Sequence, residues 1–349
     1  MPSELPCSAL RLEIDREALA DNWRALDRLS ESARAGAAVK ADGYGIGARI
    51  AVPVLRQAGC RDFFVTYSSE AADLLDLAPA GEIVLLHGPL SAADATWAQA
   101  VGARPVINSL DQARRWIEAG GGRCDVMVDT GINRLGLAMT DLGSEAVRVL
   151  DIDVLHSHLA SAEEPVELND RQLRRWQEAC AALPHRRAAL ANSAGITLGA
   201  DYHGDLTRPG LALYGGEPCA ALAGRIRQVA RPMAAIMQVR EIGPGETVGY
   251  NATFTAERSM RIGVVALGYA DGYLRSWSGG RGAFLAHGAR LPVLGRVSMD
   301  MTVIDLGAAP DLMEGDWVEA DYSLRRASAA SGLSQYELLT LLADRFDRP

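Results

Sequence analysis

The sequence predicts an α/β protein, a (β/α)8 barrel followed by a mostly antiparallel β domain. Three observations carry that prediction. Between about residues 36 and 216, eight short apolar runs alternate with helical patterns, the grammar of parallel βα units joined by right-handed crossovers. No GxGxxG turn follows an early strand, which argues against an open dinucleotide-binding sheet. Past about residue 218, Gly and Pro cut the apolar runs at short intervals, as in strands joined by tight turns. With 349 residues the chain is long enough for two domains.

Taken in order, LRLEID (10–15) reads as a strand that pairs with the C-terminal domain, and the first barrel helix opens near Arg16. The barrel strand candidates are 36–41, 62–67, 82–87, 104–108, 125–129, 153–158, 188–192 and 210–214. Between them, 48–58, 91–100, 110–119 and 164–182 carry apolar residues at three- and four-residue steps and read as helices. Runs at 233–239, 261–267, 291–297 and 302–306 are the strands of the β domain. Ser334 precedes QYELLTLLA as the cap of a last helix over 334–343. The domains are therefore expected at 13–218 for the barrel and 219–349 for the β domain, the latter with a strand from 1–12.

Composition narrows the class. Hydrophobic residues make up 48% and charged residues 23%, the balance of a packed globular chain. Acidic residues outnumber basic ones 44 to 35, giving a net charge of −9 and no basic face for nucleic acid. No apolar run approaches the roughly 20 residues of a membrane-spanning helix, and no signal-like segment opens the sequence. Cys7, Cys60, Cys124, Cys180 and Cys219 are odd in number, scattered and without a CxxC pair, which predicts a reducing, cytoplasmic setting and no zinc site.

A sharper fact is that Lys40 is the single lysine in the chain; the other 34 basic residues are arginine. Arginine replaces lysine as a surface cation but keeps its proton, so it cannot act as a primary amine. A retained lone lysine points to amine chemistry such as a Schiff base. Lys40 ends the first barrel strand in AVKADGYGIG, and the carboxyl ends of barrel strands are where such folds build active sites. The turn behind it (Gly43, Gly45, Gly47) offers backbone amides suited to phosphate, with Tyr44 as an added hydroxyl donor. LANSAG brings Ser193, and TRPGLALYGG brings Arg208, to the seventh and eighth strand ends, where barrels commonly bind phosphate. Each has a plainer reading alone: Lys40 as a surface cation, Ser193 as a helix cap, Arg208 as the ion-pair partner of Asp205. Together they outline a pocket for a phosphorylated aldehyde cofactor, pyridoxal 5′-phosphate.

The segments AVKADGYGIG, VDTGINRLG, HSHLASAEEP, NSAG, RPGLALYG, VGYNATF, LGYADGY and GRVSMDM occur in the order found in bacterial alanine racemases, and the chain resembles that family from Ala38 to Met301. The resemblance implies a homodimer with shared active sites that interconverts L- and D-alanine, a small-molecule substrate, either to supply D-alanine as a peptidoglycan precursor or in a catabolic role. Lys40 would hold pyridoxal phosphate and serve as one base. Tyr250 would be the opposite base, contributed by the second subunit, with His158 linking it to Arg208. Arg208 would face the pyridine nitrogen. Tyr44, Ser193, Gly210 and Leu211 would hold the phosphate. Arg134 and the Met299 backbone would meet the substrate carboxylate, with Tyr269 and Arg275, again from the second subunit, at the pocket mouth. Tyr269 and Met299 also have a plain reading as packing residues of the β domain. His156, two residues before His158, points to the same strand face but deeper, and reads as structural.

One departure stands out. Where many relatives carry a carbamylated lysine seven residues before the arginine, this chain has Met127, so a chloride, another carboxylate or a looser Arg134 is expected. Two other readings compete: a racemase for serine or basic amino acids, and a non-catalytic pyridoxal phosphate carrier. A related barrel that cleaves D-threonine would want a metal site that the sequence does not show. The carrier would lack the second domain that holds Tyr250.

Overall fold

The computed structural model describes residues 8–342 and 344–349, so Cys7 and Ala343 lie outside it. Two compact units emerge, one spanning 16–227 and the other joining the N-terminal segment through Asp15 to 228–349. Residues 219–227 fall in the first unit, beyond the boundary at 218 expected from sequence. The reason is a buried asparagine: Asn22 donates to the carbonyls of Leu213 and Arg227 at 3.0 and 2.8 Å, and accepts from the Arg227 amide at 2.8 Å.

Strands are numbered in chain order. After β1 (Leu10–Ile14), the helix Arg16–Leu29 buries Leu19, Trp23 and Leu26 at helical spacing, and Trp23 donates to the carbonyl of Ala35. The first barrel strand comes in two pieces, β2 (Arg34–Ala35) and β3 (Ala37–Ala38), parted at Gly36. A Cβ on Gly36 would stand 2.7 Å from the Phe64 ring and 2.9 Å from the Asp62 carbonyl, so only glycine fits there. The remaining strands are β4 (Phe63–Val65), β5 (Ile83–Leu85), β6 (Arg104–Ile107), β7 (Arg123–Met127), β8 (Asp151–His156), β9 (Arg187–Ala189) and β10 (Leu206–Thr207).

β3 to β9 form one parallel sheet in sequential order. β10 runs parallel to β2, and on its other side Asp205 and Arg208 donate to the carbonyls of Ala188 and Ala191, both at 2.8 Å. These bonds close the sheet into the expected eight-position barrel, with β2 and β3 sharing one position. At the amino ends of the strands a charge cluster closes the barrel: buried Arg104 contacts Asp62 at 2.5 Å and also Asp153, and half-buried Arg187 contacts the same two carboxylates at 3.0 and 2.7 Å.

The eighth strand is not where the sequence reading put it. Residues 210–214 form a 3-10 turn (Leu211–Tyr214), and the strand is β10, earlier in the chain. Leu211, Ala212, Leu213 and Tyr214 are all buried, and an apolar run buried on every side carries no periodicity to separate strand from helix.

In the second unit, β11 (Ala230–Ile242) is the spine. It pairs antiparallel with β1, in register from Leu10 opposite Ala234 to Ile14 opposite Ala230, as expected for the N-terminal strand. β12 (Thr247–Val248) and β13 (Phe254–Thr255) make a small hairpin. The rest of the sheet is β14 (Met260–Val265), β15 (Ala283–Ala286), β16 (Ala289–Leu294), β17 (Thr302–Asp305) and β18 (Trp317–Ala320), in the order β1-β11-β14-β17-β16-β15-β18. Because β18 also pairs with β11, the antiparallel sheet curls back on itself. The last helix, Gln335–Thr340, is capped by Ser334, which exchanges hydrogen bonds with Glu337 at 3.2 and 2.8 Å.

Candidate active site

The first unit gathers Lys40, Tyr44, Arg134, His158, Ser193, Arg208, Gly210 and Leu211 on segments that follow the carboxyl ends of its strands. Lys40 leaves β3 into a turn in which Ala41, Asp42, Gly43 and Tyr44 all have left-handed backbone, with φ of 52°, 50°, 62° and 57°. Each non-glycine residue there costs on the order of 1 kcal/mol. The turn is held from outside: Glu70 accepts from the Ala41 amide at 2.7 Å, and Asp42 accepts from the Ala48 amide at 2.7 Å to start the helix Ala48–Ala58.

The glycine amides of this turn do not face a phosphate, contrary to the sequence reading. Gly43, Gly45 and Gly47 donate to the carbonyls of Val39, Ala41 and Asp42 at 2.8 to 2.9 Å. They are spent on closing the turn. Burial, and then the nearby Arg134 cation, lower the Lys40 pKa, while Glu70 pulls it the other way. A larger share of the amine is therefore neutral than for a free lysine.

The phosphate-sized cradle is built elsewhere. The buried Tyr44 ring stacks on Tyr214 at 4.8 Å, and Tyr214 donates to the Ala38 carbonyl at 2.8 Å. Burial pushes the Tyr44 phenol up to about 12, so it remains a hydroxyl donor at neutral pH. Ser193 accepts from the amides of Gly210 and Ala212 at 3.0 and 3.3 Å, which directs its own proton away from them. It caps no helix; Asn192 next to it receives the Gly195 amide at 2.8 Å. Tyr44, Ser193 and the amide of Leu211, between the two that Ser193 binds, form a donor set that could hold the phosphate of a phosphorylated aldehyde.

Arg208 is buried, with no carboxylate in direct contact among the described residues, and Asp205 accepts from the Ala188 amide at 2.8 Å instead. One guanidinium arm, Nη1, donates to the Ala189 carbonyl at 2.8 Å and lies 3.2 Å from His156 Nδ1. The other, Nη2, donates to the Ser157 carbonyl at 2.5 Å and lies 3.5 Å from His158 Nδ1. Behind, His156 Nε2 stands 3.0 Å from Asp125. Burial lowers the Arg208 pKa to about 10, His156 to about 4 and His158 to about 3, with Arg208 itself adding to both histidine shifts. His158 also feels Arg134 and Lys40, so these cations converge on one pocket.

Arg134 sits on a loop organised by Asp129, whose carboxylate accepts the amides of Gly131, Asn133 and Arg134 at 2.8, 3.1 and 3.0 Å. Its guanidinium is exposed and meets no carboxylate among the described residues, and Met127 is buried at the end of β7. Glu70, Asp125 and the contact made by His156 were not found from sequence. Each acts through a partner distant in the chain, and none belongs to a local motif.

In the second unit, Tyr250 follows Gly249 in the short turn Tyr250–Ala252 and is 64% exposed. The Tyr269 and Ala270 amides donate to the carbonyls of Ser298 and Met299, both at 3.0 Å, so Tyr269 and Met299 come from two loops docked on each other. Their exposures of 40% and 53% exclude a core-packing role in this chain. Buried Asp271 and exposed Asp300 both pair with Arg345 at 2.8 Å, tying these loops to the C-terminal segment. Arg275 opens the neighbouring turn Arg275–Trp277.

Comparison with known proteins gives a consistent result. Residues 14–218 match the family model "Alanine racemase, N-terminal domain", and 229–349 match "Alanine racemase, C-terminal domain". The chain is 40% identical to the alanine racemase of Rhizobium meliloti, covering 99% of this chain and 97% of that one. Among solved structures it is similar to the alanine racemase of Bartonella henselae with covalently bound pyridoxal phosphate, at 32% identity and a TM-score of 0.88 over 99% of both chains. The biosynthetic alanine racemase of Pseudomonas aeruginosa matches at 33% identity and 0.86, over 98% of this chain and 99% of that one.

Proposed function

The chain belongs to the alanine racemase family over both of its domains, and we propose that it interconverts L- and D-alanine with pyridoxal phosphate, using two bases on opposite faces of the substrate. The observation that carries the reading is the environment of Lys40. The chain's only ε-amine opens the turn just past the first barrel strand, its pKa lowered by burial and a neighbouring arginine, in a pocket that also holds Arg208 and His158.

The donor set fits the cofactor. Tyr44, Ser193 and the Leu211 amide suit its phosphate, while the Gly210 amide, expected from sequence to join them, is spent on Ser193; Lys40 suits its aldehyde and Arg208 its ring nitrogen. When bound, pyridoxal phosphate supplies an electron sink for the pair left by the α-proton. Lys40 takes or returns that proton at its Nζ on one face, which requires the neutral amine that burial favours. Tyr250 of the partner subunit does the same on the other face through its phenol oxygen, so the active form is a homodimer. His158 accepts from Arg208 at Nδ1, so its Nε2 carries the proton and can donate to that phenol, stabilising it as the base. Arg134 and the Met299 amide hold the alanine carboxylate, and Tyr269 of the partner subunit limits what side chain fits at the mouth.

The test is Tyr250→Phe in the dimeric holoenzyme. Racemisation of both alanine enantiomers should be lost while the cofactor colour stays. Unchanged turnover would point to a different mechanism, and faster turnover of serine, arginine or lysine would reassign the substrate.

A further inference from the structure

Arginine carries only donors, so a ring nitrogen at hydrogen-bond distance from it must accept. His156 Nδ1, 3.2 Å from Arg208 Nη1, is therefore unprotonated. The ring proton then sits on Nε2 and is donated to Asp125, 3.0 Å away. A doubly protonated His156 would set donor against donor and add a cation beside a buried one. The geometry fixes both the tautomer and the neutral state.

We infer that His156 is a positioning residue for Arg208, an acceptor locked into one tautomer by Asp125 that fixes the guanidinium where the cofactor ring must meet it. This rests on the function proposed above.

The hydrogen-bond count supports it. His156 and the Ala189 carbonyl take Nη1, while the Ser157 carbonyl, the Leu190 carbonyl at 3.4 Å and His158 share Nη2. Both terminal nitrogens are thus committed to the barrel interior, and no side chain or carbonyl among the described residues takes the Nε proton, which is left for a ligand. Asp125 is the carboxylate whose charge Arg208 feels, and the imidazole keeps it one residue away. Direct pairing would pull the guanidinium towards the carboxylate; an intervening neutral ring holds it in place while Asp125 still offsets its charge. Asp125 itself is anchored by the Val154 amide at 3.2 Å and lies 3.9 Å from Arg104 Nε, so the line from Arg208 ends in the charge cluster at the barrel's amino end.

His156→Leu removes the acceptor, and His156→Gln restores one while keeping a donor for Asp125. The readouts are pyridoxal phosphate affinity of the cofactor-free full chain, the absorption spectrum of the reconstituted protein, and kcat and KM for alanine. Leaving one buried guanidinium donor unpaired should weaken cofactor binding about tenfold in H156L and alter the spectrum, with H156Q close to wild type. Equal affinity and spectrum in folded H156L, or an equal loss in H156Q, would overturn the inference. Should H156L fail to fold, 15N NMR of histidine-labelled wild-type protein decides: a protonated Nε2 and bare Nδ1 on His156 support it, and a protonated Nδ1 refutes it. If wild type binds no pyridoxal phosphate, the proposed function fails, and the NMR readout still judges the His156–Arg208 contact.

Discussion

Tyr44 and Gly210 occupy each other's space: a Cβ added to Gly210 would overlap the Tyr44 hydroxyl and fall 2.8 Å from its ring carbon. Gly210 has no left-handed backbone to explain, since its φ is −131°. The glycine is there for clearance, and it lets the phenol reach the phosphate cradle.

Gly210→Ala should therefore displace Tyr44, which is pinned by its stack on Tyr214. The expected cost is about 1–3 kcal/mol of overpacking, with weaker pyridoxal phosphate binding. Gly143→Ala, where a Cβ meets nothing, is the control and should change neither. Denaturant midpoints and cofactor titration measure both effects.

Glu70 is the external clamp on the left-handed turn, accepting from Ala41 through one oxygen and from Thr66 through the other at 2.6 Å. Glu70→Ala should lower kcat/KM about tenfold, the loss of a charge-assisted bond to the turn. It also removes the one neighbouring anion that raises the Lys40 pKa. Acylation of Lys40 in the cofactor-free protein should therefore shift to lower pH even as activity falls. A shift to higher pH would contradict the assigned role.

His156 and His158 predict the acid limb of stability. Their folded pKa values of about 4 and about 3 lie below the unfolded value of about 6.5. Protons therefore favour the unfolded chain. The stabilisation is complete above pH 6.5 or so and is lost as pH falls towards the folded values, at up to about 1.4 kcal/mol per pH unit for each ring. Asp62 and Asp153, also lowered, lose theirs at lower pH, and raised Asp271 and Glu319 act in the opposite direction. Comparing wild type with H156Q isolates one ring. Urea midpoints of the cofactor-free protein should fall less steeply between pH 6.5 and 4.5 in the variant.

Much of the architecture was legible because its signals are local. Eight apolar runs alternating with amphipathic helices imply a barrel, and LRLEID alternates like the edge strand it forms against β11. Lys40 stood out because arginine had replaced every other lysine, an inference from amine chemistry that needs no neighbours. The 210–214 run misled because burial on all sides erases periodicity. The glycines behind Lys40 looked like phosphate donors because spacing cannot show that the turn folds back and spends their amides on its own carbonyls. Asp125 and Glu70 escaped notice, and His156 read only as structural, for a different reason. Each matters through a partner at least 29 residues away, Arg208 for His156, Ala41 for Glu70 and Val154 for Asp125, and only the closed barrel brings those pairs together.

The central claim is that the single ε-amine of this chain carries the cofactor. Borohydride reduction of the holoenzyme followed by peptide mass mapping tests it most directly. The account predicts one pyridoxyl group per chain, on the peptide containing Lys40, with the colour bleached and activity lost together. A reduced, bleached protein whose Lys40 peptide is unmodified would contradict it.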